Sequence, residues 1–75
     1  MLNKRAMYVN AFRRSGLSRK EWGNLFHYGT AAYTATSSKL AGKLNISNRE
    51  VAFLRAIEFL LDRGLFQEFI ETVKK

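Results

Sequence analysis

Two copies of a helix-start signal constrain this chain more than any other feature. The pattern Ser-x-x-Glu occurs from Ser18 to Glu21 and again from Ser47 to Glu50. In such a capping box, the serine hydroxyl and the glutamate carboxylate each accept a hydrogen bond from a backbone N–H group near the helix start. Apolar residues at helical spacing follow both boxes, so the sequence predicts helices over about residues 19–26 and 48–63.

The remaining apolar periodicity predicts three more short helices, and the sequence contains no proline to interrupt them. The first helix covers about residues 3–14 and ends at Ser15 and Gly16. The third covers about residues 30–40, with Tyr33 expected to face inward, and the fifth covers residues 65–73. We therefore predict an all-α fold, a compact bundle of about five short helices in a single domain over residues 1–75.

Positive charge is concentrated in the first half of the chain. The sequence has 13 lysine and arginine residues against 6 acidic residues, a net charge of +7. Residues 1–43 contain eight of the basic residues and one acidic residue, whereas residues 44–75 contain five of each. Nucleic acid is the common polyanion that meets such a surface, so the charge predicts a nucleic-acid partner. A basic protein without that partner is the simpler alternative.

Other classes of function lack the residues that they need. The chain has no cysteine and a single histidine, His27, so it has no Cys/His cluster for a transition metal. Ser37 and Ser38 have no evident partners for nucleophilic catalysis. No apolar run approaches the ~20 residues of a membrane span, and no signal peptide is apparent. We expect a cytoplasmic protein that is not an enzyme, with no cofactor, metal, small-molecule substrate or membrane contact.

Residues 17–36 match the requirements of a helix-turn-helix, in which two short helices are joined by a tight turn. Such a motif needs a small residue where its two helices cross, and Gly23 fits that position. It also needs apolar residues around the crossing, which are present as Trp22, Phe26, Tyr28 and Tyr33. The fold prediction therefore includes a helix-turn-helix within the five-helix bundle.

In this spacing, counted from Arg19, the stretch resembles the Cro/repressor-type (XRE-like) helix-turn-helix proteins of phages, plasmids and bacteria. The preceding Gly16-Leu17-Ser18 and the order of five short helices agree with that family. The chain differs from it at His27, where the family usually has glycine. It differs again at Thr36, where the family usually has a large apolar residue.

The resemblance implies that the third helix enters the major groove of duplex DNA. The residues that would face the groove are small or hydroxylated: Gly29, Thr30, Ala31, Thr34, Ala35 and Ser38. Hydroxyl groups can bond base edges, and alanine can contact a thymine methyl group. No Asn, Gln or Arg lies on this face, so specificity would depend on few contacts, on DNA shape, or on Asn45 and Asn48 from the following loop.

Phosphate contacts are expected from basic residues around the motif. The resemblance assigns them to Arg19, Lys20, Lys39 and Lys43. Arg13 and Arg14 flank the motif and have few acidic residues near them in the sequence, so their charge adds them to this group.

The last predicted helix has two alternative roles. One of its sides carries Phe66, Phe69, Ile70 and Val73. These residues either complete the core of the monomer or form a dimer contact, because so short a chain has difficulty burying all of them alone. We expect a homodimer, which would suit a palindromic DNA site.

Together these features predict a sequence-specific transcriptional regulator that binds double-stranded DNA, a phage- or plasmid-type repressor or autoregulator. The alternative is a small basic phage-type protein-interaction module, an inhibitor or adaptor, that occupies an acidic surface without binding DNA. A basic amphipathic protein of the membrane surface is a third alternative, against which the capped short helices argue.

Overall fold

The computed structural model describes residues 3–73, and over that range the protein has five α-helices and no β-strand. The helices are α1 (Lys4–Ser15), α2 (Arg19–Leu25), α3 (Ala32–Leu40), α4 (Asn48–Asp62) and α5 (Phe66–Val73). A single 3₁₀ turn, Gly29–Ala31, leads into α3. The predicted all-α fold of about five short helices is confirmed. The predicted C-terminal segment 65–75 is described as far as residue 73, and Lys74 and Lys75 lie outside the described residues.

Both predicted capping boxes form. The backbone N–H of Glu21 donates to the Ser18 hydroxyl at 3.1 Å, and the Glu21 carboxylate accepts from the Ser18 backbone at 2.9 Å. The corresponding distances for Ser47 and Glu50 are 3.2 and 3.0 Å. Because the boxes satisfy backbone groups that would otherwise be unpaired, the starts of α2 and α4 fall where the sequence predicts them.

Aromatic rings occupy the centre of the core. Trp22 is fully buried, and the rings of Tyr8 and Phe12 meet it edge to face at centroid distances of 5.6 and 5.4 Å. The Phe26 ring lies 4.9 Å from it on α2's C-terminal side. The core continues through α4 and α5 with aliphatic and aromatic side chains, which include Leu54, Ile57, Phe66 and Ile70. This arrangement holds α2 against α1 and α4.

The predicted close crossing of α2 and α3 occurs at Gly23. A Cβ atom at this position would lie 2.3 Å from the carbonyl oxygen of Ala32, so the two backbones can approach this closely only because Gly23 has no side chain. The inner side of α3 is formed by Ala32 and Thr36, both of which are buried.

The predicted inward position of Tyr33 is wrong, because its side chain is 58% exposed. The 3₁₀ turn delays the start of α3 to Ala32, and Ala32 takes the position opposite Gly23. Residues four apart share a helix face, so Thr36 is buried with Ala32 and the neighbouring Tyr33 is rotated away from the crossing.

The longest helix over residues 3–73 is α4, with 15 residues. No helix in this range has the length and apolar character that crossing a bilayer requires.

Candidate nucleic-acid interface

The outer side of α3 and of the turn before it carries short side chains and one aromatic ring. Thr30, Ala31 and Thr34 are exposed, and Ala35 and Ser38 are partly exposed, so all five predicted base-contacting residues are accessible. Gly29 is exposed as well. Sequence reasoning missed Tyr33 and Ser37, which extend the same surface. We call this surface the α3 face, and it consists of Thr30, Ala31, Tyr33, Thr34, Ser37 and Ser38.

A groove of about 430 Å³ separates the start of α2 from the end of α3. Arg19 lies on one side of this groove, and Ser37, Ser38 and Lys43 lie on the other. Arg19 Nη1 donates to the Ser37 hydroxyl at 3.2 Å, and its guanidinium carbon lies 5.8 Å from the centroid of the Tyr33 ring. The positive charge of Arg19 is therefore held next to the α3 face. Lys20 follows it in the first turn of α2 and is exposed.

The C-terminal end of α3 is fixed by α1. Arg5 donates from Nε and Nη2 to the carbonyl oxygen of Leu40, at 3.0 and 2.8 Å. A cation at this end is favourable because unpaired carbonyl groups give a helix C-terminus partial negative charge. Gly42, with a φ of +80°, then turns the chain, and the Lys43 backbone N–H donates to the Ser38 carbonyl at 2.8 Å. Arg5 is 35 positions from Leu40, and no local pattern in the sequence indicates this contact.

Lys39 does not belong with the accessible cations. Its side chain is 12% exposed, and its ammonium group lies 2.8 Å from a carboxylate oxygen of Glu50 and 3.0 Å from the Asn45 carbonyl. In the helix, position 39 points towards the same side as the buried residues 32 and 36. The phosphate contact predicted for Lys39 therefore does not fit its place in the fold, where it joins α3 to α4.

Glu50 is the centre of a polar cluster that sequence reasoning missed. Beyond its capping role and the Lys39 pair, its carboxylate accepts a hydrogen bond from the Tyr28 hydroxyl, which lies 3.1 Å from that of Tyr8. Burial would raise the pKa of Glu50, but the hydrogen bonds from Lys39 and Tyr28 outweigh it and hold that pKa below its ordinary value. Burial and the hydrogen bond to Glu50 raise the pKa of Tyr28. The cluster joins α1, α3, α4 and the turn after α2.

The turn after α2 contains a strained position. His27 has a φ of +61°, in the left-handed region that non-glycine residues rarely adopt. This is the position where the resembled family usually has glycine. The His27 side chain is exposed, as expected of a turn residue.

The remaining predicted contacts are dispersed. Arg13 is exposed in the last turn of α1, whereas the neighbouring Arg14 forms an exposed ion pair with Asp62 of α4 at 2.6 Å. Arg14 is thereby turned towards the C-terminal end of α4. The Asn48 side chain accepts a hydrogen bond from Lys4 at 2.9 Å, while Asn45 is exposed in the loop after α3.

The four residues proposed for a dimer contact divide between the core and the surface. Phe66 and Ile70 are buried within the monomer and belong to its core. Phe69 is partly buried and Val73 is exposed. Val73 and Ile70 line an apolar hollow of about 310 Å³ between α5 and α2, whose other wall includes Leu17 and Leu25.

Searches against protein-family models, curated proteins and solved structures found no match for this chain. Its resemblance to the XRE-like proteins rests on the residues of the motif. Over residues 3–73 there is also no group of three or more His, Asp or Glu side chains arranged to hold a metal ion.

Proposed function

We propose that this protein is a sequence-specific transcriptional regulator that inserts α3 into the major groove of duplex DNA. The observation that carries the proposal is the α3 face, a helix surface of short side chains and one aromatic ring, bordered by Arg19 and Lys43. Short side chains allow a helix to approach the base edges, and threonine and serine hydroxyls can bond to them. The bordering cations would neutralise phosphates on either side of the groove.

The distribution of ion pairs supports this proposal. The ion pairs formed among residues 3–73 use Arg14 and Lys39. They leave out four of the six predicted phosphate contacts, Arg13, Arg19, Lys20 and Lys43, all of which are exposed. A cation without a carboxylate neighbour can bind a phosphate without first breaking an ion pair, and each phosphate contact releases condensed counterions. We propose Arg19, Lys20 and Lys43 as the principal phosphate contacts, with Arg13 as an outer one.

We further propose a homodimeric repressor or autoregulator of the phage or plasmid type, following the resemblance of the motif. The exposed apolar side chains of Val73 on α5 and of Leu65 in the loop before it support a contact between two copies. A dimer would present two copies of α3 to half-sites about one helical turn apart. Binding-site selection from random duplexes would then return a palindrome.

The proposal predicts a defined salt effect for the double variant Arg19→Ala/Lys20→Ala. Loss of two phosphate contacts should weaken duplex binding and reduce the slope of log affinity against log salt by about 2. Fluorescence anisotropy with a labelled duplex between low and moderate salt measures both quantities. The matched control, Arg55→Ala/Arg63→Ala, removes the same charge from exposed positions at α4 and should leave the slope nearly unchanged. An unchanged slope for the first variant would exclude this placement of DNA.

A protein-interaction module is the second candidate function, and the apolar hollow between α2 and α5 favours it. Leu17, Leu25, Ile70 and Val73 give that hollow an apolar surface that could receive a side chain of another protein. A gel-shift assay with mixed genomic fragments at low salt separates the two candidates. A retarded band supports DNA binding, whereas the absence of any shift favours the protein partner.

A further inference from the structure

Tyr33 is exposed in a position where the fold gives it no packing role. Ala32 and Thr36 occupy the inner side of α3, and the Tyr33 ring is 58% exposed. The other members of the α3 face are alanine, serine and threonine, so the tyrosine ring projects beyond all of them. If α3 lies in the major groove, this ring is the side chain of the face that reaches furthest towards the bases.

Arg19 restricts where that ring can point. Its guanidinium carbon lies 5.8 Å from the ring centroid, which is cation–π distance, and the same group is tethered by its hydrogen bond to Ser37. A side chain that is partly ordered before binding loses less conformational entropy when it binds. The pair also joins an apolar surface to a positive charge, which matches a groove whose floor is formed by bases and whose borders are formed by phosphates.

The chemistry of the ring selects one feature of the groove. Base pairs present hydrogen-bond donors and acceptors in the major groove, and the thymine 5-methyl group is the apolar feature among them. The hydroxyl groups of Thr30, Thr34 and Ser38 suit the donors and acceptors. The flat apolar carbon surface of Tyr33 suits the methyl group. We infer that Tyr33 is a specificity-determining residue that reads a thymine through its 5-methyl group, an inference that rests on the proposed DNA-binding function.

The test uses the full chain and a duplex obtained by binding-site selection. Each thymine of the selected site is replaced in turn by deoxyuridine, which removes only the methyl group. At one thymine of each half-site, the wild-type protein should bind the uracil duplex about fourfold more weakly, the effect of one buried methyl group. Tyr33→Ala should bind the thymine duplex about tenfold more weakly than the wild type does. This variant should bind the thymine and uracil duplexes with the same affinity. Tyr33→Phe should behave as the wild type.

Phe59→Ala is the matched control. Phe59 is also an exposed aromatic residue beside an arginine, with the Arg63 guanidinium carbon 3.6 Å from its ring centroid, but it lies on α4 outside the α3 face. This variant should keep the wild-type discrimination between thymine and uracil. Thermal unfolding of each variant verifies that the fold is retained, which is expected because neither ring is buried.

The outcomes separate the inference from the function on which it rests. If selection returns no preferred sequence for the wild type, the proposed function fails and the inference fails with it. If the wild type selects a site but Tyr33→Ala discriminates thymine from uracil as the wild type does, the inference alone is overturned. A loss of binding that is equal for all duplexes would assign Tyr33 to a sequence-independent contact and would also overturn it.

Discussion

Alanine and threonine occur on both the inner and the outer side of α3, yet the fold constrains the two sides in opposite ways. Thr36 on the inner side is fully buried, whereas Thr34, two residues earlier, is exposed. The inner side meets Gly23 across a backbone contact that has no room for a Cβ atom. The residues of the outer side are exposed or partly exposed, and Arg19 of α2 contacts two of them, Tyr33 and Ser37. Substitutions on the inner side should therefore change stability, and substitutions on the outer side should change binding.

Contacts at its inner side and at its C-terminal end hold α3 in place. Its inner side is fixed through Gly23 and through the Lys39–Glu50 ion pair, and its C-terminal end is fixed by Arg5. These contacts come from α2, α4 and α1, so three helices determine the orientation of α3. A rigid supporting shell of this kind is what a binding surface needs if its exposed side chains are to meet a partner in one geometry.

The largest effect is expected from Gly23→Ala, which adds a methyl group at the crossing of α2 and α3. The new Cβ atom would lie 2.3 Å from the Ala32 carbonyl oxygen, so the helices must separate. Although alanine favours the helical backbone, the overpacking should lower the free energy of unfolding by about 3 kcal/mol. Chemical denaturation measures this change.

Asn24→Ala is the control. Asn24 follows Gly23 in α2 and is exposed, so this variant should change stability by less than about 0.5 kcal/mol. Equal effects of the two variants would show that the crossing is not tightly packed.

The second-largest effect on stability is expected from Glu50→Gln, which weakens the connection between the inner side of α3 and α4. At neutral pH this variant should be less stable by about 2 kcal/mol, because hydrogen bonds to a charged group are lost. The pKa of Glu50 is lower in the folded protein than its ordinary value of 4.5. A carboxyl group of this kind contributes stability above its unfolded pKa, and the contribution is lost as the pH falls through the folded pKa.

Wild-type stability should therefore decrease as the pH falls below about 4.5, and Glu50→Gln should reduce that decrease. Denaturation curves at a series of pH values between neutral and strongly acidic provide the measurement. Glu21→Gln is the control, because Glu21 holds the equivalent capping position of α2 and is exposed. Glu21→Gln should lower the free energy of unfolding less than Glu50→Gln does. It should leave most of the loss of stability at low pH unchanged. Identical pH profiles for the wild type and Glu50→Gln would rule out the role of the Glu50 cluster.

Local signals in the sequence predicted the helix starts and the crossing, but not the rotation of α3. Each capping box is complete within four residues, and Gly23 is the small residue within a helix of large ones, so both could be recognised from short stretches. The rotation depends on the 3₁₀ turn before Ala32, for which the sequence has no comparable signal. The prediction therefore placed Tyr33 inside and Lys39 outside, and the structure has them the other way round.

The smallest effect is expected from Thr36→Val. Its comparison with Thr34→Val tests, within one helix, which side of α3 is buried and which is exposed. Thr36 is fully buried and, within residues 3–73, its hydroxyl group has no hydrogen-bond partner. Valine has nearly the same shape and replaces the unpaired hydroxyl with a methyl group, which removes a desolvation cost. We expect Thr36→Val to raise the free energy of unfolding by about 1 kcal/mol, as measured by chemical denaturation. Thr34→Val makes the same chemical change on the exposed side and should alter stability by less than about 0.5 kcal/mol.

In duplex binding, Thr34→Val should have the larger effect of the two variants. Only Thr34 belongs to the α3 face, and its replacement removes a hydroxyl that can bond a base edge. A stability gain at Thr34, or a binding loss confined to Thr36, would show that the inner and outer sides of α3 have been assigned the wrong way round.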